Sequence, residues 1–486
     1  MMSGGGALGG LLAGCGRDGG GGDPPPLAPT GVPPRNVVVI LVDDLRWDSL
    51  GFAGHPFVRT PNIDRLARDG AVLTDAFVTT SLCCPSRASM LTGLYAHTHG
   101  VLDNRSELDP AFPTYATLAR AAGVDTAYIG KWHMGAANPH PRPGWSRWIG
   151  FRGQGRYVYP GPGDPLDQQF SFDGELRPVA GYVTDLLTDH AVAYLTERDG
   201  QTPFCLVVGH KGVHAPFVPA ERHRDAFADQ TAIPAVLPDT DAAYATLPPW
   251  LRAMRRSAEF GVDRPYGQWA DFASWYLDYH RTLLAIDDSV GRIVGALTDR
   301  GLLDTTAVLF TSDNGFMFGE KGVLDKRNFY EPSIRIPWVV LAPGLVAPGT
   351  RIDRFALNVD LAPTVLELVG LTPPSHWHGR SLVPLLRGSP PDDWRREFVY
   401  EYFFERTFPD TPTLFGIRTE RAKLATYHGL AAPDQLFDLD ADPLETDDLG
   451  QRPELDRTTA DRKKALKNRL GRHFRELGLA AAPVWG

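Results

Sequence analysis

The run Asn36-Val-Val-Val-Ile-Leu-Val42 is apolar at almost every position, rich in β-branched residues, and ends abruptly at Asp43-Asp44. A strand that is apolar throughout, rather than at alternate positions, must be covered on both faces, as a parallel strand is inside an α/β sheet. Two adjacent carboxylates at the C-terminal end of such a strand repel each other unless a cation sits between them. The crevices of open α/β sheets lie outside those strand ends, so an exposed acidic turn is the weaker reading.

The same pattern recurs along the chain. Thr126-Ala-Tyr-Ile-Gly130 leads into Lys131-Trp-His133, Phe204-Cys-Leu-Val-Val208 into His210-Lys211-Gly-Val-His214, and Ala307-Val-Leu-Phe310 into Asp313-Asn314. Helical spacing is expected over 60–70, 114–122, 182–196 and 272–297, and again from Pro363 to Val369 with Asp360 as its cap. The alternation predicts an α/β fold with a large, mostly parallel sheet sandwiched by helices. Lys131 and His133, two apart on an extended segment, would point the same way. His210 and Lys211 either line a pocket or face solvent. Asp43, Asp44, Asp313 and Asn314 together offer hard oxygen ligands, which suit Ca²⁺ or Mg²⁺ better than zinc.

Beyond a Pro-rich crossing at 384–392 the segments shorten to 398–402, 414–418, 423–427 and 435–439, followed by a terminal helix. A small antiparallel sheet packed by one helix is expected there. With 486 residues, the chain is expected to divide into a signal-like leader with a Gly/Pro-rich tether (1–35), a large α/β domain (36–385) and a smaller C-terminal α+β subdomain (386–486). Between Pro219 and Trp269 the hydrophobic pattern breaks down, as in a lid or rim.

The net charge of −9, with both signs interspersed, argues against nucleic acid as a partner. An anionic substrate would need a local positive pocket. Of four cysteines, Cys83 and Cys84 stand together just before Pro85 and an expected helix start, with Arg87 one turn in. A helix N-terminus offers unpaired N–H groups to an anion, although two small residues packed under a helix would give the same string.

Read as Cys-x-Pro-Ser-Arg, three variable residues and Leu-Thr-Gly, residues 83–93 resemble the signature of the type I sulfatases. The resemblance implies an alkaline-phosphatase-like fold and a sulfuric ester hydrolase of arylsulfatase type. It implies that a maturation enzyme oxidises Cys83 to formylglycine, whose hydrate is the nucleophile, while Cys84 fills a variable position. Lys131 and His133 match the family's Gly-Lys-Trp-His segment, and His214 matches the histidine that holds the sulfate ester and protonates the departing oxygen. Lys326 matches the second sulfate-binding lysine, where Lys326-Arg327 alone would read as a solvated charge run. Arg87 would hold the hydrate. The family's metal quartet falls on Asp43, Asp44, Asp313 and Asn314, with the residue at position 83 as a further ligand.

The likeness runs from about Asn36 to about Leu449. Cys-Cys-Pro-Ser-Arg-Ala-Ser and Gly153-Gln-Gly-Arg-Tyr157 look most like the N-acetylglucosamine-6-sulfatase branch, which implies a sulfated glycan or small molecule as substrate. Two other readings remain: a phosphonate or phosphate ester hydrolase of the same superfamily, and a non-catalytic lipoprotein that binds sulfated glycans with Cys83 unconverted. Leu11-Leu-Ala-Gly-Cys15 resembles a bacterial lipobox, although no Lys or Arg precedes Arg17. Export is expected, to the periplasm or the cell envelope, with any membrane attachment through a lipid on Cys15 and the Gly/Pro-rich stretch after it as a tether.

Overall fold

The computed structural model describes residues 35–135, 138–163, 165, 168–230, 247–255, 272–428 and 433–479. The lipobox and tether lie outside them, as do 231–246 and 256–271 of the expected rim.

Four parallel strands form the middle of a ten-stranded sheet, in the spatial order Thr306–Ser312, Asn36–Val42, Phe204–Gly209 and Asp125–Lys131. Every residue of Asn36–Val42 is buried. Val38, Ile40 and Val42 face one apolar cluster, while Val37, Val39 and Leu41 face the other. Each such side chain contributes roughly 1.5–3 kcal/mol by leaving water. This two-sided burial is the physical origin of the uninterrupted apolar run.

The first cluster is closed by the helices Phe272–Asp299, Val183–Thr196 and Pro61–Asp69, the second by Cys83–Thr92, Tyr115–Ala121 and Leu361–Leu368. Buried Trp275, Tyr279, Leu283, Ile286, Val290, Ile293 and Leu297 follow the 3–4 spacing of one helix face. Parallel pairing in register brings the strand ends together: Val42 lies opposite Ser312, Leu41 opposite Gly209, and Gly209 opposite Gly130. The residues that follow each strand therefore share one edge of the sheet.

The strands Glu397–Tyr402, Thr413–Thr419, Ala422–His428 and Gln435–Asp438 form the expected antiparallel sheet in sequential order. The helix Arg457–Glu476 covers it through Leu466, Leu470 and Phe474. The sheet's other face joins the large sheet's core, with the rings of Phe329 and Tyr400 stacked 4.6 Å apart.

Arg147–Phe151, Phe170–Phe172 and Glu175–Arg177 extend the sheet on one side. One local expectation needs correction. Asp360 stands at the N-cap of Leu361–Leu368, but its side chain makes no capping bond to that helix. Its carboxylate accepts from the backbone N–H of Leu357 and of Arg380 and pairs with Arg395, stapling three segments instead. Among the described residues, no helix is long and apolar enough to cross a membrane.

Gly130 shows how tightly the strand ends are set. Its φ is +125°, and a Cβ there would stand 2.0 Å from the carbonyl oxygen of Gly209. Gly130→Ala is expected to destabilise the fold by about 3 kcal/mol through strain and clash combined. A thermal midpoint equal to that of the parent protein would show that the strand can shift without cost.

Candidate active site

The residues after the four central strands meet around Cys83. Cys83 begins the helix Cys83–Thr92, and Arg87, four residues on, lies on the same face. The whole helix is buried, so its polar side chains need partners. Arg87 Nε donates to Asp313 Oδ2 at 2.7 Å and Nη1 to the Lys131 carbonyl at 2.7 Å. Lys131 pairs with Asp43 Oδ2, and Lys326 pairs with Asp44 Oδ1 while donating to Cys83 Sγ at 2.9 Å. The Cys83 thiol donates in turn to Asp43 Oδ1 at 3.6 Å. Asn314 Nδ2 donates to Asp44 Oδ1 at 2.7 Å.

All ten residues singled out in the sequence converge here. Lys326 and Arg327 are buried rather than solvated, Arg327 by pairing with Asp325 and Glu405. His210 and Lys211 are buried too, which removes the solvent-facing reading. The extended segment expected for Lys131 and His133 does not continue: the strand ends at Lys131, and His133 has φ +71°. Asp44 also sits in the left-handed region, at φ +60°. Left-handed backbone at two non-glycine residues of one cluster is strain held by the surrounding packing.

Three carboxylates in one buried place set the electrostatics. One oxygen each of Asp43, Asp44 and Asp313 lie within 4.8 Å of one another. Burial alone would raise Asp43, but Lys131, His214 and Arg87 hold it well below the usual carboxylate range. Burial and the charge of Asp43 push Asp313 up to about 7, and burial also raises Asp44. Among the described residues, Asp44 Oδ2 and Asn314 Oδ1 are buried without a hydrogen bond. Orphaned oxygens beside like charges are the donor set that a hard divalent cation completes.

Burial holds the Cys83 thiol up at about 12 despite Lys131 and Lys326, so an unmodified Cys83 is no thiolate near neutral pH. Burial and Lys131 keep His133 neutral, and its Nδ1 has no hydrogen-bond partner among the described residues. Burial and Lys326 likewise lower His214. His214 is the more open of the two, with its side chain 13% exposed and Nε2 3.8 Å from Asp44 Oδ2. Its Nδ1 lies 2.7 Å from the Ala215 carbonyl, which only accepts, so Nδ1 carries the proton and Nε2 is left for chemistry.

Several supporting residues have no role assigned to them by the sequence, although Gln154 lies in the Gly153–Tyr157 segment. Gln154 Oε1 accepts from Lys131 Nζ at 2.5 Å. Ser81 Oγ, with one proton to give, lies 2.5 Å from the Lys326 carbonyl, 2.9 Å from the Asn328 carbonyl and 2.6 Å from Tyr400 OH. The C-terminal sheet thereby braces both the helix start and the Lys326 loop. A separate cavity of about 470 Å³ lies between Trp47, Arg335, Arg418 and Leu444, and its charged walls pair among themselves.

A mostly parallel sheet whose central strand ends bring three carboxylates, an amide and a lysine to one buried side chain, joined there by a second lysine and an arginine, defines a hydrolase of anionic esters. Residues 35–371 match the sulfatase family, and 319–472 match the C-terminal region of N-sulphoglucosamine sulphohydrolase. An N-acetylglucosamine-6-O-sulfatase of Bacteroides thetaiotaomicron is 30% identical, over 85% of this chain and 82% of its own. A multifunctional alkaline phosphatase superfamily protein of Trinickia caryophylli is also 30% identical, over 91% and 96%. Among solved structures, one in complex with its substrate D-glucosamine-2-N,6-O-disulfate superposes with a TM-score of 0.79 at 27% identity, covering 92% of this chain and 98% of that one. The phosphonate monoester hydrolase of Agrobacterium radiobacter gives 0.74 at 26%, covering 92% and 96%. The chain belongs to the sulfatase family of the alkaline phosphatase superfamily and is a sulfuric ester hydrolase.

Proposed function

We propose that the chain removes sulfate from a sulfated carbohydrate, with Cys83 converted to formylglycine and Ca²⁺ or Mg²⁺ held by Asp43, Asp44, Asp313 and Asn314. The observation that carries this reading is the convergence of Lys131, Lys326 and three carboxylates on Cys83. When present, the cation polarises the sulfate and the aldehyde hydrate supplies the attacking oxygen.

The chain's own residues do the rest. The ammoniums of Lys131 and Lys326 receive sulfate oxygens, and Gln154 fixes the former through its amide oxygen. Arg87 holds Asp313 and the Lys131 carbonyl in place. His214, at the open side, gives a proton from Nε2 to the departing alcohol. An anion bound beside Lys326 offsets the repulsion that lowers this histidine, so substrate itself raises its proton affinity. His133, neutral and with Nδ1 unbonded among the described residues, takes up a proton inside the pocket.

A carbohydrate substrate is supported by the names of the glucosamine-acting relatives. A phosphonate or phosphate ester is the second reading, favoured by the likeness to a phosphonate monoester hydrolase. A panel of sulfated sugars, assayed with formylglycine occupancy measured on the tryptic peptide containing residue 83, tests the first. Faster turnover of an aryl phosphonate than of an aryl sulfate would favour the second.

The reading requires a formylglycine-generating enzyme in the host. It also includes export and a lipid on Cys15, so Cys15→Ser should move the protein out of the membrane fraction. His214→Ala is expected to slow alkyl sulfates by roughly 10²–10⁴-fold and aryl sulfates with acidic phenols far less, because only the former need a proton. Equal losses on both would remove His214 as the acid.

A further inference from the structure

Lys211 lies two residues beyond the strand Phe204–Gly209, at the same sheet edge as Asp43 and Lys131. It is 2% exposed. Among the described residues its ammonium makes no hydrogen bond and no ion pair, and it stands 4.6 Å from the ring centroid of Tyr157. An ammonium taken from water without a carboxylate partner is costly, and a ring face offsets only part of that cost.

Nor do the neighbouring acids supply the missing partner. Asp43, Asp44 and Asp313 are engaged by Lys131, Lys326 and Arg87, three cations to three carboxylates. Lys211 is therefore surplus positive charge, and a cation in the acidic cluster would enlarge that surplus. Burial and the nearness of Lys131 lower its pKa to about 8, as expected for an uncompensated ammonium.

The position of Lys211 is nevertheless firmly built. Asp43 N–H donates to the Gly212 carbonyl at 3.0 Å, and Val213 N–H donates to the Asp43 carbonyl at 2.8 Å. Tyr157 OH donates to the His214 carbonyl at 2.7 Å, which ties the ring beneath Lys211 to the segment carrying the proposed acid. A buried charge held in register with the reacting groups and lacking a counter-ion is pre-organised for an anion that arrives from outside.

We propose that Lys211 is a third ammonium of the substrate-anion site, and that its counter-ion is the sulfate group of the bound ester. The inference rests on the proposed reading of this site as the place where the sulfate group sits. It adds Lys211 as a substrate-binding residue beside Lys131 and Lys326.

The test uses the full-length, metal-loaded protein and its Lys211→Met and Lys211→Arg variants, with formylglycine occupancy measured for each. Inorganic sulfate is titrated while the thermal midpoint is followed, and kcat and KM are measured on an aryl sulfate. Lys211→Met is expected to weaken sulfate binding and raise KM about 10- to 100-fold, the worth of one charge-assisted contact. Without sulfate its thermal midpoint should match or exceed that of the parent protein, since a buried unpaired charge has gone. Lys211→Arg should recover part of the sulfate affinity. Sulfate affinity and KM unchanged within about twofold in Lys211→Met would overturn the proposal. So would a lower midpoint without sulfate, the mark of a structural ammonium, or an absence of sulfate binding by the parent protein. If the parent binds sulfate but turns over no sulfate ester, the functional reading falls while the titration still decides the role of Lys211.

Discussion

Cys83→Ala is expected to lower kcat/KM on a sulfate ester by roughly 10⁴-fold or more while leaving the fold intact. The side chain is small and fully buried, and its polar contacts are to Asp43 and Lys326, both of which keep other partners. Little packing is therefore lost, and any large change in rate reports chemistry. The unmodified thiol is an unsuitable nucleophile in this setting, because burial keeps it protonated far above neutral pH. The proposed conversion to an aldehyde hydrate would remove that obstacle by replacing sulfur with oxygens. Cys84→Ala is the matched control: Cys84 lies in the apolar cluster, its interaction with Asn104 runs through its backbone N–H, and substitution should leave turnover near the parent rate. A parent-like rate in Cys83→Ala, with folding confirmed by an unchanged thermal midpoint, would take residue 83 out of the reaction.

What could be read from the chain follows from where order is local. The central strands were legible because a strand covered on both faces is apolar at every position, and the site because each such run stops at charged or polar residues. The edge strands of 138–180 were not, since three-residue strands such as Phe170–Phe172 carry too little periodicity to be read. Gln154 and Tyr400 belong to the site only through contacts that tertiary packing makes, at separations of 23 residues from Lys131 and 319 from Ser81. Lys211 gave no local sign of which way it faced; what decides its burial is the pinning of Gly212 and Val213 to Asp43. His133 reaches the site as expected, but its backbone does not follow the strand pattern, for a related reason. Its φ of +71° turns the chain where a strand pattern predicts continuation.

Removal of the divalent ion by a chelator is expected to lower activity by at least about 10³-fold, because the ion's share of sulfate polarisation has no substitute among the remaining cations. The same experiment carries a signed pH dependence. In the ion-free protein Asp313 titrates near 7 and Asp44 is also raised, against an ordinary value of 3.8. Between those limits the folded state holds more protons than the unfolded chain, so ion-free stability falls as pH rises from about 4 to about 7. Asp43, held low, acts in the opposite sense, contributing stability that is lost as pH falls below the ordinary carboxylate range. Ion binding needs these carboxylates ionised, so affinity rises over the window in which ion-free stability falls. The gain in thermal midpoint on adding Ca²⁺ should therefore be clearly larger at about pH 8 than at about pH 5. Equal gains at the two pH values would mean that the ion does not bind at Asp44 and Asp313, and that the strain of three neighbouring carboxylates is relieved in some other way.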